Sequence, residues 1–186
     1  MAVKTMAKNT GTGQYNAGWH ELTVSKAVDG KWGDKRTIDL NFEGYPDNMR
    51  HRVFEASNKT TGEEFKIANL FRFACAGIIS VLQDPTGKNP VIQYDDEVTN
   101  LVGTRVNVLF VKEASKTDGK EYSRTFDLVP VVQETEHLTW TDDDVASLKK
   151  HVEKQHAKRT ATTTNGVGTV HLDTTTTVTG DVDIPF

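Results

Sequence analysis

Apolar and polar residues alternate along two early stretches of the chain. Leu22, Val24 and Val28 stand at even positions with Glu21, Thr23 and Ser25 between or beside them, and Ile38, Leu40 and Phe42 alternate with Thr37, Asp39, Asn41 and Glu43. A period of two sends one set of side chains to a buried face and the other to water, so both stretches predict strands. Asp29-Gly-Lys-Trp-Gly-Asp34 supplies two glycines for a hairpin loop between them, with Trp32 in that loop. Beyond the turn-forming Gly44-Tyr-Pro-Asp-Asn48, a third strand carries Met49, His51 and Val53 on one face and Arg50, Arg52 and Phe54 on the other. The period then lengthens. Phe65, Ala68, Phe71, Cys75, Ile78 and Leu82 recur at helical intervals behind Thr61-Gly-Glu-Glu64, which has capping-box spacing, and Asp84-Pro85 ends the run.

Strands resume near Arg105, where Val106, Val108 and Phe110 share a face, and again from Tyr122 to Val132. Asp118-Gly119, within Ser115-Lys-Thr-Asp-Gly-Lys120, is the hairpin signal between them. Thr141-Asp-Asp-Asp144 opens an amphipathic helix with Val145, Leu148 and Val152 on one stripe. Acids at its start and Lys149, Lys150 and Lys154 further on suit the helix dipole. The ends differ from this body. Residues 1–17 are polar and Gly/Thr-rich without periodicity and predict a flexible arm, and half of residues 160–179 are threonine with no core-forming pattern. The expected organisation is an arm (1–17), a β domain (18–135), an accessory helix (136–159), a linker (160–179) and an acidic, apolar tip (180–186).

Three strands, a helix and two strands follow the element order of the five-stranded OB barrel. The expected fold is therefore mainly β, an OB-type barrel with a helix between its third and fourth strands, an accessory C-terminal helix and a disordered tail. In that fold the second and third strands, with the loops joining strands one to two and four to five, bind oligonucleotides. Those are the regions where basic and aromatic residues gather here. Lys31, Trp32, Lys35 and Arg36 follow the first strand, Arg50, Arg52 and Phe54 occupy the third, and Arg105, Lys112, Lys116, Lys120, Tyr122 and Arg124 belong to the later pair. Aromatic rings stack on unpaired bases for about 1 to 3 kcal/mol each without reading sequence, while Lys and Arg neutralise phosphates. The structural alternatives are equally concrete: Trp32 capping a sheet edge, the arginines as solvated surface, and Tyr122 or Phe126 in the core.

Composition narrows the class. A chain of 186 residues with 36% hydrophobic content holds one ordinary domain plus unpacked segments. Lys plus Arg total 22 against 26 acids, a net charge of -4, so any basic surface is local. A single cysteine, Cys75, offers neither an internal disulfide nor a cysteine-rich zinc site and reads as core. The N-terminus lacks the apolar run of a signal peptide, which predicts an unexported, cytoplasmic protein.

The terminal Asp181-Val-Asp-Ile-Pro-Phe186 resembles the acidic tip of bacterial single-stranded DNA-binding proteins, which typically end in Asp-Asp-Asp-Ile-Pro-Phe. The body is similar to phage-encoded single-stranded DNA-binding domains in Asn69-Leu-Phe-Arg-Phe-Ala-Cys-Ala-Gly77, Leu101-Val-Gly-Thr-Arg-Val-Asn-Val108 and Asp118-Gly-Lys-Glu-Tyr122. The resemblance implies an OB fold, sequence-tolerant coating of single strands in replication, recombination or repair, residence in the host cytoplasm, and no cofactor. It also implies recruitment of a polymerase, helicase, primase, recombinase or nuclease through Asp181, Asp183, Ile184, Pro185 and Phe186. A ring and an α-carboxylate at Phe186 need only an apolar pocket beside a cation, and the two acids suit a basic rim.

Enzymatic signals are poor. Asp95-Asp-Glu97 and Asp142-Asp-Asp144 are acidic runs of the kind that lie on solvated faces or helix starts, and Asp47, Glu55 and Lys59 miss the Glu-x-Lys spacing of a nuclease. His151 and His156 miss the i, i+4 geometry of a helical zinc pair. A scaffolding module that docks other proteins is the rival reading, and a metal-dependent nuclease the weaker third.

Overall fold

The computed structural model describes residues 15–83, 90–115 and 117–164. Most of the N-terminal arm, Lys116, the linker beyond residue 164 and the tip residues Asp181, Asp183, Ile184, Pro185 and Phe186 lie outside them. The chain forms β1 (Gly18–Trp32), β2 (Lys35–Phe42), β3 (His51–Phe54), α1 (Lys66–Ala74), β4 (Ile78–Gln83), β5 (Pro90–Tyr94), β6 (Arg105–Ala114), β7 (Glu121–Pro130), β8 (Gln133–Glu134), β9 (Thr139–Trp140) and α2 (Asp142–Thr164). It is a mainly β protein built on one five-stranded antiparallel sheet in the order β3-β2-β1-β6-β7, with β4-β5 and β8-β9 as separate pairs.

β1 is long enough to serve two partners. Gly18 to Thr23 pair with β6, and Val24 to Trp32 pair with β2, with a bulge between Val24 and Lys26. A bulge adds one residue and bends the strand, so the inward and outward sets exchange beyond it. Leu22 and Val24 are buried, Ala27 packs against the core, and Val28, expected inside, is 41% exposed. The expected six-residue loop is also corrected: Trp32 pairs with Lys35 at the end of the ladder, and Gly33-Asp34 alone makes the turn, with Gly33 at φ 61°. Trp32 therefore stands on a strand.

The main core lies between the inner face of the sheet and α1. Ile38, Leu40 and Phe42 from β2, Val53 from β3, and Val106, Val108 and Phe110 from β6 meet Ile67, Leu70 and Phe71 from the helix. Tyr15 belongs to this body rather than to a free arm. Its ring sits 5.0 Å from Tyr45 and 6.1 Å from Phe110, and its backbone exchanges hydrogen bonds with the Ser123 hydroxyl. A second core forms on the outer face of β6 and β7, where Leu109, Val111 and Val129 receive Val152 and Leu148 of α2 beside Trp19 and Phe126. Thr141 and Asp144 cap α2 reciprocally, the Asp144 amide donating to the Thr141 hydroxyl and the Thr141 amide to the Asp144 carboxylate. α2 runs through Thr164, into the start of the threonine-rich segment.

α1 is half as long as its periodicity predicts, and its cap is different. Thr61 does not cap it; the Glu64 carboxylate accepts from the amides of Ile67 (2.7 Å) and Ala68 (3.0 Å). The helix stops at Cys75, whose φ of 49° closes the final turn as the Ala76 amide reaches the Phe71 carbonyl. Gly77 then makes continuation impossible. Its φ is +62°, and a Cβ there would stand 2.3 Å from the Asp95 carbonyl oxygen. Ile78 and Leu82 consequently lie on β4, with Ile79 and Leu82 exposed, and Cys75 is a half-buried helix terminus rather than a core residue.

The edge strands β3 and β7 approach each other where the Thr125 hydroxyl donates to the Arg50 carbonyl at 3.2 Å. No ladder joins them, so the sheet is not hydrogen-bonded into a closed barrel among the described residues. Among those residues no helix is long and apolar enough to cross a membrane.

Candidate nucleic-acid interface

The outer face of the sheet is divided in two. α2 covers the half formed by β6, β7 and the start of β1, burying Leu109, Val111 and Val129 beneath it. The half formed by the end of β1, with β2 and β3, carries exposed aromatic and aliphatic side chains instead. Facing residues of paired strands project to the same side. Hence Val28, Asp39 and Arg52 form one cross-strand row, Gly30, Thr37 and Phe54 the next, and Trp32 and Lys35 a third. Trp32 is 66% exposed and Phe54 42% exposed. Both are held on regular strands rather than on loops.

Asp39 organises the cations of this face. Its carboxylate accepts from Arg52 Nε at 2.6 Å and Nη2 at 2.7 Å, a bidentate fork, and approaches Arg50 Nε at 3.3 Å. The Arg52 hydrogen bonds outweigh the cost of partial burial and hold the Asp39 carboxyl below its ordinary range. So fixed, the Arg52 guanidinium lies 5.9 Å from the centre of the Trp32 ring, within cation–π range. The result is an indole with one cationic neighbour and most of its surface in water.

The sequence-predicted residues therefore sort into groups. Trp32, Lys35, Arg50, Arg52 and Phe54 come together on one face. Lys31 and Arg36 face each other across the same hairpin but project from the opposite side. Arg36 is held there by Asp29 at 2.9 Å and by Asp96, and these carboxylates raise its pKa further above its ordinary value. Arg105 pairs with Glu21 at 2.7 Å, and Arg124 with Glu113 at 3.4 Å. Tyr122 is exposed on the β6–β7 hairpin, its hydroxyl donating to Asp118 at 2.6 Å. Lys112 and Lys120 are exposed on that hairpin, and neither forms an ion pair among the described residues.

Asp39, Val28, Gly30 and Thr37 are the members of the face that sequence reasoning did not select. Asp39 and Thr37 were legible as the outward positions of the second strand, whereas Val28 was hidden by the bulge. Phe126 lies under α2 with His156 at 4.8 Å and Arg159 at 5.1 Å. Of the acidic runs, Asp96 engages Arg36 and Asp144 caps α2. No group of three or more His, Cys, Asp or Glu side chains is placed to hold a metal ion among the described residues. No protein-family model and no curated protein matches this chain.

Proposed function

We propose that the protein binds single-stranded DNA without sequence preference and acts in replication, recombination or repair as a coating protein. The observation that carries this reading is the open β1-β2-β3 face, where Trp32 and Phe54 are exposed beside Lys35, Arg50 and Arg52. Exposed rings on rigid strands cost apolar hydration, and flanking cations make such a surface suited to bases and phosphates together. Duplex DNA keeps its bases stacked inward, so a stacking platform favours single strands.

The same proposal treats the sheet as an OB-type barrel. The order β3-β2-β1-β6-β7, the position of α1 after β3, and the approach of β3 to β7 at Arg50 and Thr125 support it. The hairpin bearing Lys112, Lys120, Tyr122 and Arg124 would flank the bound strand. The C-terminal tip would recruit replication or recombination proteins, with binding rather than catalysis as the activity.

The test is fluorescence titration of the full chain with oligo(dT) and with a duplex of equal length at two salt concentrations. The expected result is quenching by oligo(dT) that weakens with salt, with little response to duplex. Absence of binding to either refutes the proposal and leaves protein scaffolding as the better reading, whereas Mg²⁺-dependent cleavage would place the chain among nucleases.

A further inference from the structure

β4 and β5 form a hairpin of their own, outside the five-stranded sheet. Its base is fixed to the body: the Asp95 amide donates to the Gly77 carbonyl at 2.8 Å, and the Tyr94 ring lies 5.4 Å from Phe71 of the core. Beyond that base the hairpin shows apolar side chains to water. Ile79, Leu82 and Val91 are 60%, 48% and 49% exposed, and Leu82 faces Val91 across the ladder. Two strands alone are marginal in water, and aliphatic groups gathered in this way mark a surface that another element covers.

β4 also offers its backbone. Its one strand partner among the described residues is β5, so the donors and acceptors along its other edge are left for a further strand. Elsewhere in the fold such edges carry charges that discourage pairing: Lys26, Asp29 and Lys31 where β1 has only β2 beside it, and Lys112 and Glu113 where β6 has only β7. Ile78–Gln83 holds no charged residue. β5 is uncharged as well, but it opens with Pro90, which has no N–H to give to a ladder. The receptive edge of the hairpin is therefore β4.

We infer that β4 is a self-association edge, which pairs antiparallel with β4 of a second copy of this chain to make a four-stranded sheet in the order β5-β4-β4-β5. Two observations select a second copy as the occupant. Ile78-Ile79-Ser80-Val81-Leu82 has the same chemical order in both directions, so a two-fold axis at Ser80 sets Ile78 of each copy opposite Leu82 of the other, and Ile79 opposite Val81. The edge is also neutral, so two copies of a chain with net charge -4 meet there without placing like charges together. The area sets the strength. Six residues of strand run about 20 Å, and with their flanking side chains they bury on the order of a few hundred Å² per copy, below the roughly 800 Å² per partner of a stable complex. The dimer is accordingly weak and concentration-dependent, and it forms without nucleic acid.

The experiment is sedimentation of the full chain at increasing concentration, for wild type, Ser80→Lys, Ser80→Glu and an equal mixture of those two variants, with thermal melts alongside. Wild type should pass reversibly from monomer to dimer. Each Ser80 variant should weaken the dimer tenfold or more, because the axis brings its new charge against the same charge on the other copy, and the mixture should restore the dimer by pairing Lys with Glu. A wild type that stays monomeric up to about 1 mM overturns the inference, and this is also the outcome if the edge serves a strand of a different protein. Wild-type dimerisation in both single variants overturns it by placing the contact elsewhere, and a mixture no tighter than either variant overturns the axis at Ser80. Should the Ser80 variants not fold, Leu82→Lys, at an exposed position, should give a folded monomer, and a folded Leu82→Lys that dimerises like wild type refutes the β4 edge. No DNA enters the assay, so its result is independent of the single-strand reading.

Discussion

Asp39 sits among the cations proposed to meet DNA, and replacing it with asparagine separates charge from position. The carboxylate takes two short hydrogen bonds from Arg52 and stands 3.3 Å from Arg50, so it cancels part of the positive potential of the face. Asp39→Asn removes one negative charge and leaves both guanidiniums free to meet phosphate. If one more phosphate is neutralised, the salt slope of single-strand binding steepens by about 0.7, or about fivefold in affinity per tenfold change in salt. The fold should suffer modestly, since the Asp39 and Arg52 side chains are 18% and 29% exposed and screening discounts the pair to about 1 kcal/mol. The depressed pKa of Asp39 sets the sign with pH: its contribution is present above the ordinary carboxylate pKa and lost as pH falls through the folded value. The variant should lack that part of the acid limb. Oligo(dT) titrations at four salt concentrations, with urea melts at pH 7 and pH 3, make the comparison. An unchanged slope with weaker binding would refute the reasoning, because it would mean that Asp39 serves by aiming Arg52 and that its charge is immaterial.

Three other outcomes are expected. Trp32→Ala should cost about 1 to 3 kcal/mol of single-strand affinity with little change in salt slope or melting temperature. It should also abolish most DNA-induced quenching in a titration, since Trp140 is buried and Trp19 is tied to Glu153 and Lys149. Glu64→Ala should lower stability by about 1 to 2 kcal/mol in urea melts, because two α1 amides lose their acceptor. His51 is buried, and desolvation pushes its pKa down from 6.5 to about 4 despite the nearby Asp127 and Asp39 carboxylates. Stability should therefore be full above pH 6.5 and fall toward pH 4 by up to about 3 kcal/mol, a slope that urea melts should find flattened in His51→Phe.

The sheet was legible wherever one strand kept one register. The alternation of Ile38, Leu40 and Phe42 with Thr37, Asp39 and Asn41 matches the observed faces of β2, and Arg52 and Phe54 do project together from β3, while Arg50 falls just before the strand and reaches the same face at Asp39. What escaped the pattern were breaks decided by backbone geometry. The bulge after Val24 turned Val28 outward, and the close approach of Gly77 to Asp95 ended a helix whose apolar spacing continued to Leu82. The site escaped for a further reason. Trp19 and Trp32 both stand on the outward side of β1, and nothing local tells them apart. Their fates are set by α2, which reaches Trp19 through Glu153, 134 residues away, and leaves Trp32 uncovered. Periodicity can say which residues leave the core, but only tertiary packing says which of them another element will hide. An open aromatic face exists here because the C-terminal helix occupies one half of the outer face and leaves Trp32 and Phe54 on the other exposed.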